Sequence, residues 1–205
     1  MQYLEFKEKL KEFLVFSLAD VRKAAPTFYR SRLNEWQKKG YLKKIVRGHY
    51  AFSDAELNES VLFIIANKIY NPSYISFEMA LSYYHFIPES VYEITSATSR
   101  KTYTFSTPFG EFFYRRIKPS LMFGYTLIPY RQYMVKIAEP EKALLDCLYI
   151  NSRFRSENDF FEMRLNKDEI LGQINVEKLQ RYLALFQNQS LSQRTHQFLE
   201  YIHHA

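Results

Sequence analysis

The sequence has few of the residues that form cross-links or glycine-rich binding loops. Cys147 is the single cysteine, so no disulfide forms within the chain, and its apolar neighbours predict a buried, reduced thiol. The five glycines are scattered and make neither of the glycine-rich nucleotide-binding patterns. Three histidines near the chain end, His196, His203 and His204, lack the spacing of a metal site, and we expect no metal or cofactor.

Long apolar runs are also missing. No stretch approaches the about 18 apolar residues of a membrane-spanning helix, and residues 1–13 lack the apolar core of a secretion signal. These absences predict a cytoplasmic protein. The composition nevertheless forms a core, because 47% of residues are hydrophobic and 17 Tyr and 18 Phe are present, which excludes general disorder. At 205 residues, we expect one or two domains.

Positive charge is concentrated in the first quarter of the chain. Residues 1–55 hold 12 Lys and Arg against 6 Asp and Glu, whereas residues 56–205 hold 16 of each. The whole formal excess of +6 therefore lies in the N-terminal segment. This asymmetry is typical of a polyanion-binding module joined to a neutral one, although a solvated basic surface gives the same count.

The basic segment begins with the pattern of a helix-turn-helix. Apolar spacing predicts an amphipathic helix over residues 2–13. A second helix is expected from Ser17, which caps it together with Asp20 three residues later, to the break at Pro26. A third helix, the expected recognition helix, covers residues 28–39.

A basic hairpin follows the recognition helix. Gly40 after two lysines is a helix stop, and Arg47-Gly48 supplies a tight turn between two short strands. A hairpin in this position is the expected wing. We therefore predict a winged helix-turn-helix DNA-binding domain over residues 1–55. A small helical bundle with a surface hairpin is the alternative.

The predicted DNA contacts fall into two groups. Groove contacts are expected near the start of the recognition helix, because Arg reads guanine and Asn reads adenine there, and Thr27 is also expected to cap that helix. Phosphate contacts are expected from the end of the helix and from the wing. The groove group is Thr27, Tyr29, Arg30, Arg32 and Asn34, and the phosphate group is Lys38, Lys39, Lys43, Lys44, Arg47 and His49.

The rest of the chain, residues 56–205, predicts an α+β domain. Between residues 91 and 137, aromatic and β-branched stretches separated by turns predict four or five strands of a mostly antiparallel sheet. Helices flank this region, and Ser76 is expected to cap one of them. The helices are expected over residues 58–70, 76–86, 138–150, 176–187 and 191–203.

Four segments carry a family resemblance: KKGYL through RGHYAF, YISFEMALSYYHFIPE, VYEITSATSRKTYTF and EPEKALLDCLY. Together, over about residues 5–150, they resemble the AbiEi family of antitoxins and transcriptional regulators from type IV toxin–antitoxin (abortive infection) systems. The resemblance implies a repressor that binds inverted repeats in its own promoter, with two copies on the double-stranded DNA. It also implies a neighbouring nucleotidyltransferase-type toxin, against which protection does not require a stable complex, and it transfers no catalytic residue.

Two other function classes remain open on the residues alone. The first is an interaction module whose basic N-terminal domain binds an acidic partner. The second is a metal-dependent nuclease, because Asp146 lies near Glu139, Glu141 and Lys142, and carboxylates with a lysine hold Mg²⁺ and orient water. A buried Asp is more often a cap or an ion-pair partner, and no complete catalytic motif is present, so we expect no enzyme.

Overall fold

The computed structural model describes residues 1–88 and 93–204. The described residues form an α+β fold with one three-stranded and one six-stranded sheet. The N-terminal segment contains three helices and three short strands. These are α1 Tyr3–Leu10, β1 Phe16–Ser17, α2 Leu18–Ala24, α3 Ser31–Lys38, β2 Leu42–Val46 and β3 His49–Phe52.

The remainder surrounds the six-stranded sheet with helices and includes a 3₁₀ turn at Pro119–Leu121. The strands are β4 Ser73–Ile75, β5 Ile94–Thr98, β6 Tyr103–Thr107, β7 Gly110–Arg116, β8 Tyr125–Tyr130 and β9 Tyr133–Ala138. The helices are α4 Glu59–Ile69, α5 Phe77–Tyr83, α6 Pro140–Ile150, α7 Glu157–Glu162, α8 Lys167–Gln173, α9 Val176–Phe186 and α10 Gln189–His204. Within the described chain, every helix is too short or too polar to span a lipid bilayer.

Local sequence signals in the N-terminal segment are confirmed. The Asp20 amide donates to Ser17 Oγ and the Ser17 amide donates to the Asp20 carboxylate, so a capping box begins α2. After α3, Gly40 has a φ of +76°, and the Tyr41 amide donates to the Trp36 carbonyl at 2.9 Å. This Schellman motif is the predicted stop.

The third helix is shorter than predicted. It begins at Ser31, and Thr27 lies in the preceding turn without capping it. The reason is a tertiary contact, since the ring of Phe28 packs 5.3 Å from that of Phe6 and 5.8 Å from that of Trp36, measured between centroids. This aromatic packing holds the residues before Ser31 in a turn, which local helix signals do not report.

The six-stranded sheet is mixed: three of its five strand pairings are antiparallel, in agreement with the predicted mostly antiparallel sheet, and two are parallel, which the sequence did not predict. Its strand order is β6-β7-β5-β4-β9-β8, with β5 parallel to β7 and β4 parallel to β9. Strand β4 lies at the centre, and the sequence analysis missed it. Three consecutive buried residues show no alternation of apolar and polar positions, so a strand this short gives no periodic signal.

The other predicted strands are present with shifted bounds. Strand β5 begins at Ile94, whereas the first two residues of the predicted stretch, 91 and 92, lie outside the described residues. Pro129 lies within edge strand β8, where a missing backbone donor is tolerated. Helices α7 and α8, which are 6 and 7 residues long, were not predicted.

The N-terminal segment packs directly against the larger sheet. Its own core contains Phe6, Leu33 and Trp36, but Leu14 and Val15 belong to the core of the larger part. The Lys68 ammonium of α4 donates to the Val15 carbonyl at 3.0 Å, and the Leu14 amide donates to the Tyr133 hydroxyl of β9 at 3.0 Å. Hydrogen bonds between backbone groups of Leu14 and Val15 and side chains of the larger part therefore fix the chain between α1 and β1 against α4 and β9.

Candidate nucleic-acid interface

Helix α3 buries one side and exposes the other. Leu33 and Trp36 are 0% and 3% exposed within the N-terminal core. At about 100° per residue, the opposite side carries Ser31, Asn34 and Lys38, all of which are exposed. Two predicted contacts, Asn34 and Lys38, therefore share one solvent-facing stripe.

Two other predicted contacts are ion-paired with an acid that the sequence analysis did not include. Glu35 accepts a hydrogen bond from Arg32 at 2.7 Å and from Lys39 at 2.8 Å. The hydrogen bonds from Lys39 and Arg32 lower the pKa of Glu35, so its carboxylate is charged at neutral pH. Because exposed pairs of this kind are weak and screened by salt, a phosphate can displace the carboxylate. The spacing of three and four residues along the helix was the available signal.

The turn before α3 exposes the three remaining groove residues. Tyr29 is 78% exposed, and Thr27 and Arg30 are exposed beside it. These residues lie before the helix, so they approach a partner from the turn.

The hairpin divides its cations between solvent and the larger part of the molecule. Lys44 and Arg47 are exposed, whereas Lys43 is half-buried, with its Nζ 5.5 Å from the centre of the Phe109 ring. Gly48, with a φ of +90°, makes the tight turn between them. Four exposed side chains make no hydrogen bond or ion pair with any other described residue: Arg30, Lys38, Lys44 and Arg47.

His49 occupies a different environment from the other predicted phosphate contacts. It is half-buried, and its Nδ1 is fully buried without a hydrogen-bond partner in the described residues. Burial lowers the pKa of His49, nearby Lys68 lowers it further, and Asp20 opposes both effects. The imidazole is therefore neutral at pH 7 and lies at the junction with α4.

Ion pairs confine the basic excess to one part of the N-terminal segment. Helix α1 and its C-cap Lys11 are largely neutralised, because their three lysines each pair with an acid. The pairs are Lys9–Glu5 at 3.1 Å, Lys11–Glu8 at 2.5 Å and Lys7–Asp54 at 2.5 Å. Residues 18–49 hold 9 Lys and Arg against 2 Asp and Glu. We call the cations exposed there on α3, its preceding turn and the hairpin the basic face: Arg30, Arg32, Lys38, Lys39, Lys44 and Arg47.

The carboxylates considered for a nuclease do not meet in an open site. Asp146 and Lys142 are both 0% exposed and form an ion pair, and Tyr74 and Ser76 each donate to Asp146 Oδ2 at 2.8 Å. Ser76 is therefore occupied by Asp146, and its side chain does not cap α5 as predicted. The interpretation of Asp146 as a buried ion-pair partner is confirmed.

Glu139 and Glu141 form a separate cluster between α6 and α9. Lys178 lies 3.2 Å from Glu139 and 3.1 Å from Glu141, so both acids are paired with one cation. Over residues 1–88 and 93–204, no group of three or more His, Cys, Asp or Glu side chains is arranged to hold a metal ion. Cys147 is buried, as predicted, and burial raises the pKa of its thiol to about 12.

No protein-family model matches the chain, and no curated protein is similar to it. Two of the four segments singled out in the sequence contact each other through side-chain hydrogen bonds. Tyr74 and Ser76 come from YISFEMALSYYHFIPE, and Lys142 and Asp146 come from EPEKALLDCLY. These four side chains form a buried polar network between α6 and the segment that runs from β4 to the start of α5.

Proposed function

We propose that the chain is a DNA-binding transcriptional repressor whose N-terminal segment acts as a winged helix-turn-helix. Helices α2 and α3 would form the helix-turn-helix pair, and the β2–β3 hairpin would form the wing. The observation that carries the proposal is the basic face, where six exposed cations from three consecutive elements oppose the single acid Glu35. Exposed cations on an outward helix and an adjoining hairpin are the arrangement that binds a polyanionic duplex.

Different residues on and beside the basic face would read the base sequence and bind the phosphates. The start of α3 and its preceding turn present Arg30 and Asn34 to base edges in the major groove. Lys44 and Arg47 on the hairpin, with Lys38 at the end of α3, bind phosphates and set the register on the duplex. Glu35 keeps Arg32 and Lys39 extended along the helix until DNA phosphates exchange with its carboxylate.

Within this function, the AbiEi resemblance supports an antitoxin of a type IV toxin–antitoxin system that represses its own operon. Its operator would be an inverted repeat that binds two copies of the chain, in the cytoplasm. Its functional partner would be a nucleotidyltransferase-type toxin encoded beside it, neutralised without a required stable complex. The support is the order of the four segments along the chain.

DNA binding is tested with the full chain and fluorescent duplexes of equal length, one from its own upstream region and one scrambled. We expect tighter binding to the upstream duplex and an affinity that falls steeply as salt rises, measured by anisotropy. Equally weak binding to both duplexes contradicts the repressor. That outcome favours a basic surface for an acidic protein partner.

The antitoxin role has a separate test. The neighbouring gene is expressed alone and together with this chain, and cell growth is followed. Growth arrest that the chain relieves supports the role, whereas arrest that persists in the presence of soluble chain contradicts it. Repression of a reporter fused to the upstream region is measured in the same cells, so the two roles are distinguished.

A further inference from the structure

A second cationic site lies in the C-terminal part, where α10 passes the loop between α6 and α7. A pocket of about 580 Å³ opens there between Arg155 and one side of α10. Its other lining residues include Ser190, Gln193, Arg194 and Gln197, and every lining side chain is polar or charged. The residues of the basic face do not line this pocket.

Arg194 is a buried cation with unused donors. Its residue is 4% exposed, and its guanidinium donates to Ser190 Oγ at 2.7 Å and to the Leu148 carbonyl at 3.0 Å. Its Nε is fully buried and has no hydrogen-bond partner in the described residues. A guanidinium has five N–H donors, so these two contacts leave most of them unsatisfied, which is unfavourable for a buried group.

Arg155 adds a second positive charge to the same pocket. Its side chain is exposed, and its Nε donates to the Ser152 carbonyl at 2.8 Å. Burial and the charge of Arg155 both lower the pKa of Arg194, so the two cations disfavour each other. The acid that lines the pocket, Glu200, lies 3.4 Å from His196, and no ion pair joins it to either arginine.

We propose that this pocket binds a phosphate group between Arg155 and Arg194. Guanidinium forks match phosphate oxygens, and hydrogen bonds between such ions are stronger than neutral ones. Ser190, Gln193 and Gln197 supply neutral donors around the same space. Among the described residues, the lining contains no Phe, Tyr or Trp ring, and the imidazole of His196 lies 3.4 Å from Glu200. The recognised chemistry is therefore the phosphate itself, as inorganic phosphate or as a nucleotide's phosphate ester.

A structural role alone explains only part of this arrangement. The contact from Arg194 to Leu148 satisfies a carbonyl in the last turn of α6, where a cation is favourable. That contact uses one of the five donors. It accounts neither for the unpartnered Nε nor for Arg155, whose charge opposes that of Arg194. An anion between the two arginines offsets the repulsion between their charges.

The test is a calorimetric titration of the full chain with inorganic phosphate, in which chloride is exchanged to keep the ionic strength constant. Arg155→Ala is expected to weaken phosphate binding by about tenfold or more, since it removes charge-assisted hydrogen bonds. Because Arg155 is exposed, this variant is expected to fold normally. The matched control is Arg153→Ala, because Arg153 is also exposed but lies 5.1 Å over the Phe154 ring and does not line the pocket.

Retained affinity in Arg153→Ala and lost affinity in Arg155→Ala support the site. No phosphate binding above chloride, or equal affinity in wild type and Arg155→Ala, overturns it. Phosphate binding that disappears in Lys44→Ala/Arg47→Ala also overturns it, because the ligand would then occupy the basic face. A parallel titration with a nucleoside 5′-monophosphate identifies the source: equal affinity indicates the phosphate alone, and tighter binding that Arg155→Ala abolishes indicates a nucleotide.

Discussion

The N-terminal segment and the larger sheet region use their cations in opposite ways. On the basic face, Lys44 and Arg47 extend into solvent, and exposed Glu35 is the acid that pairs with its cations. In the larger part, Lys142 is 0% exposed and bound to Asp146, and Lys178 joins two glutamates. The difference shows that placement decides what a charge does. The outer cations are available to a polyanion, whereas the Lys142–Asp146 pair joins α6 to Tyr74 of the sheet and Lys178 joins α9 to the start of α6.

The largest expected effect comes from breaking an inner pair. Asp146→Ala leaves the Lys142 ammonium buried without its carboxylate, so we expect a loss of about 3–5 kcal/mol in the free energy of unfolding. Urea unfolding measures it. Glu5→Ala, which breaks an exposed pair on α1, is the control and should change stability little.

A loss below about 1 kcal/mol in Asp146→Ala would contradict the role of the inner pair. If Asp146→Ala does not fold, the double variant Lys142→Met/Asp146→Leu replaces both charges with apolar groups. We expect the double variant to recover folding, because the cost then lies in an unpaired buried charge.

A smaller effect is expected from two proposed groove-reading residues, Asn34 of α3 and Arg30 of the basic face. Asn34→Ala should lower the discrimination between upstream and scrambled DNA by about 1–3 kcal/mol, and Arg30→Ala should act in the same direction. Binding to scrambled DNA should change little, since Asn34 carries no charge. The ratio of the two dissociation constants measures this effect, and an unchanged ratio in both variants would remove these residues from the groove.

The comparison is sharpened by removing the acid on the basic face. Glu35→Gln releases Arg32 and Lys39, so we expect severalfold tighter binding to upstream and scrambled DNA alike, with a steeper dependence on salt. Glu5→Gln, which removes the charge of an exposed, ion-paired glutamate on α1, is the control. A selective loss of upstream binding in Glu35→Gln would instead show that Glu35 contacts a base.

The smallest effect concerns His49 at the junction between the two regions. Burial and Lys68 hold the folded pKa of His49 below the ordinary value of 6.5, against the opposing charge of Asp20. The neutral imidazole therefore stabilises the fold fully above pH 6.5, and this contribution is lost as pH falls through the lower folded pKa. Between pH 7 and pH 5, wild type should lose more stability than His49→Gln in urea unfolding. Equal losses would contradict this placement of His49.

The sequence predicts those local structures, such as helix caps and stops, that residues a few positions apart determine. The capping box at Ser17 and the stop at Gly40 depend on residues a few positions apart, and both are present. Strand β4 was missed because its three residues are all buried and show no alternation. The hydrogen bond from Ser76 to Asp146 was missed because it joins residues 70 positions apart. The same limit applies to the candidate site.

Exposure within the candidate site depends on tertiary contacts. The sequence treated Lys43, Lys44, Arg47 and His49 as equivalent cations of one hairpin. In the structure, Lys43 lies over the Phe109 ring and His49 is half-buried near Lys68 of α4, whereas Lys44 and Arg47 are exposed. Glu35 is the exception, because its spacing from Arg32 and Lys39 was readable along the chain.

The central claim is that the cations of the basic face are the ones available to DNA. The most direct measurement is the salt dependence of DNA affinity for wild type, Lys44→Ala/Arg47→Ala and Arg181→Ala, the last being an exposed cation of α9. The double variant should bind upstream and scrambled DNA more weakly and reduce the slope of log affinity against log salt by about 2, with Arg181→Ala unchanged. An unchanged slope in the double variant, or an equal reduction in Arg181→Ala, would contradict the claim.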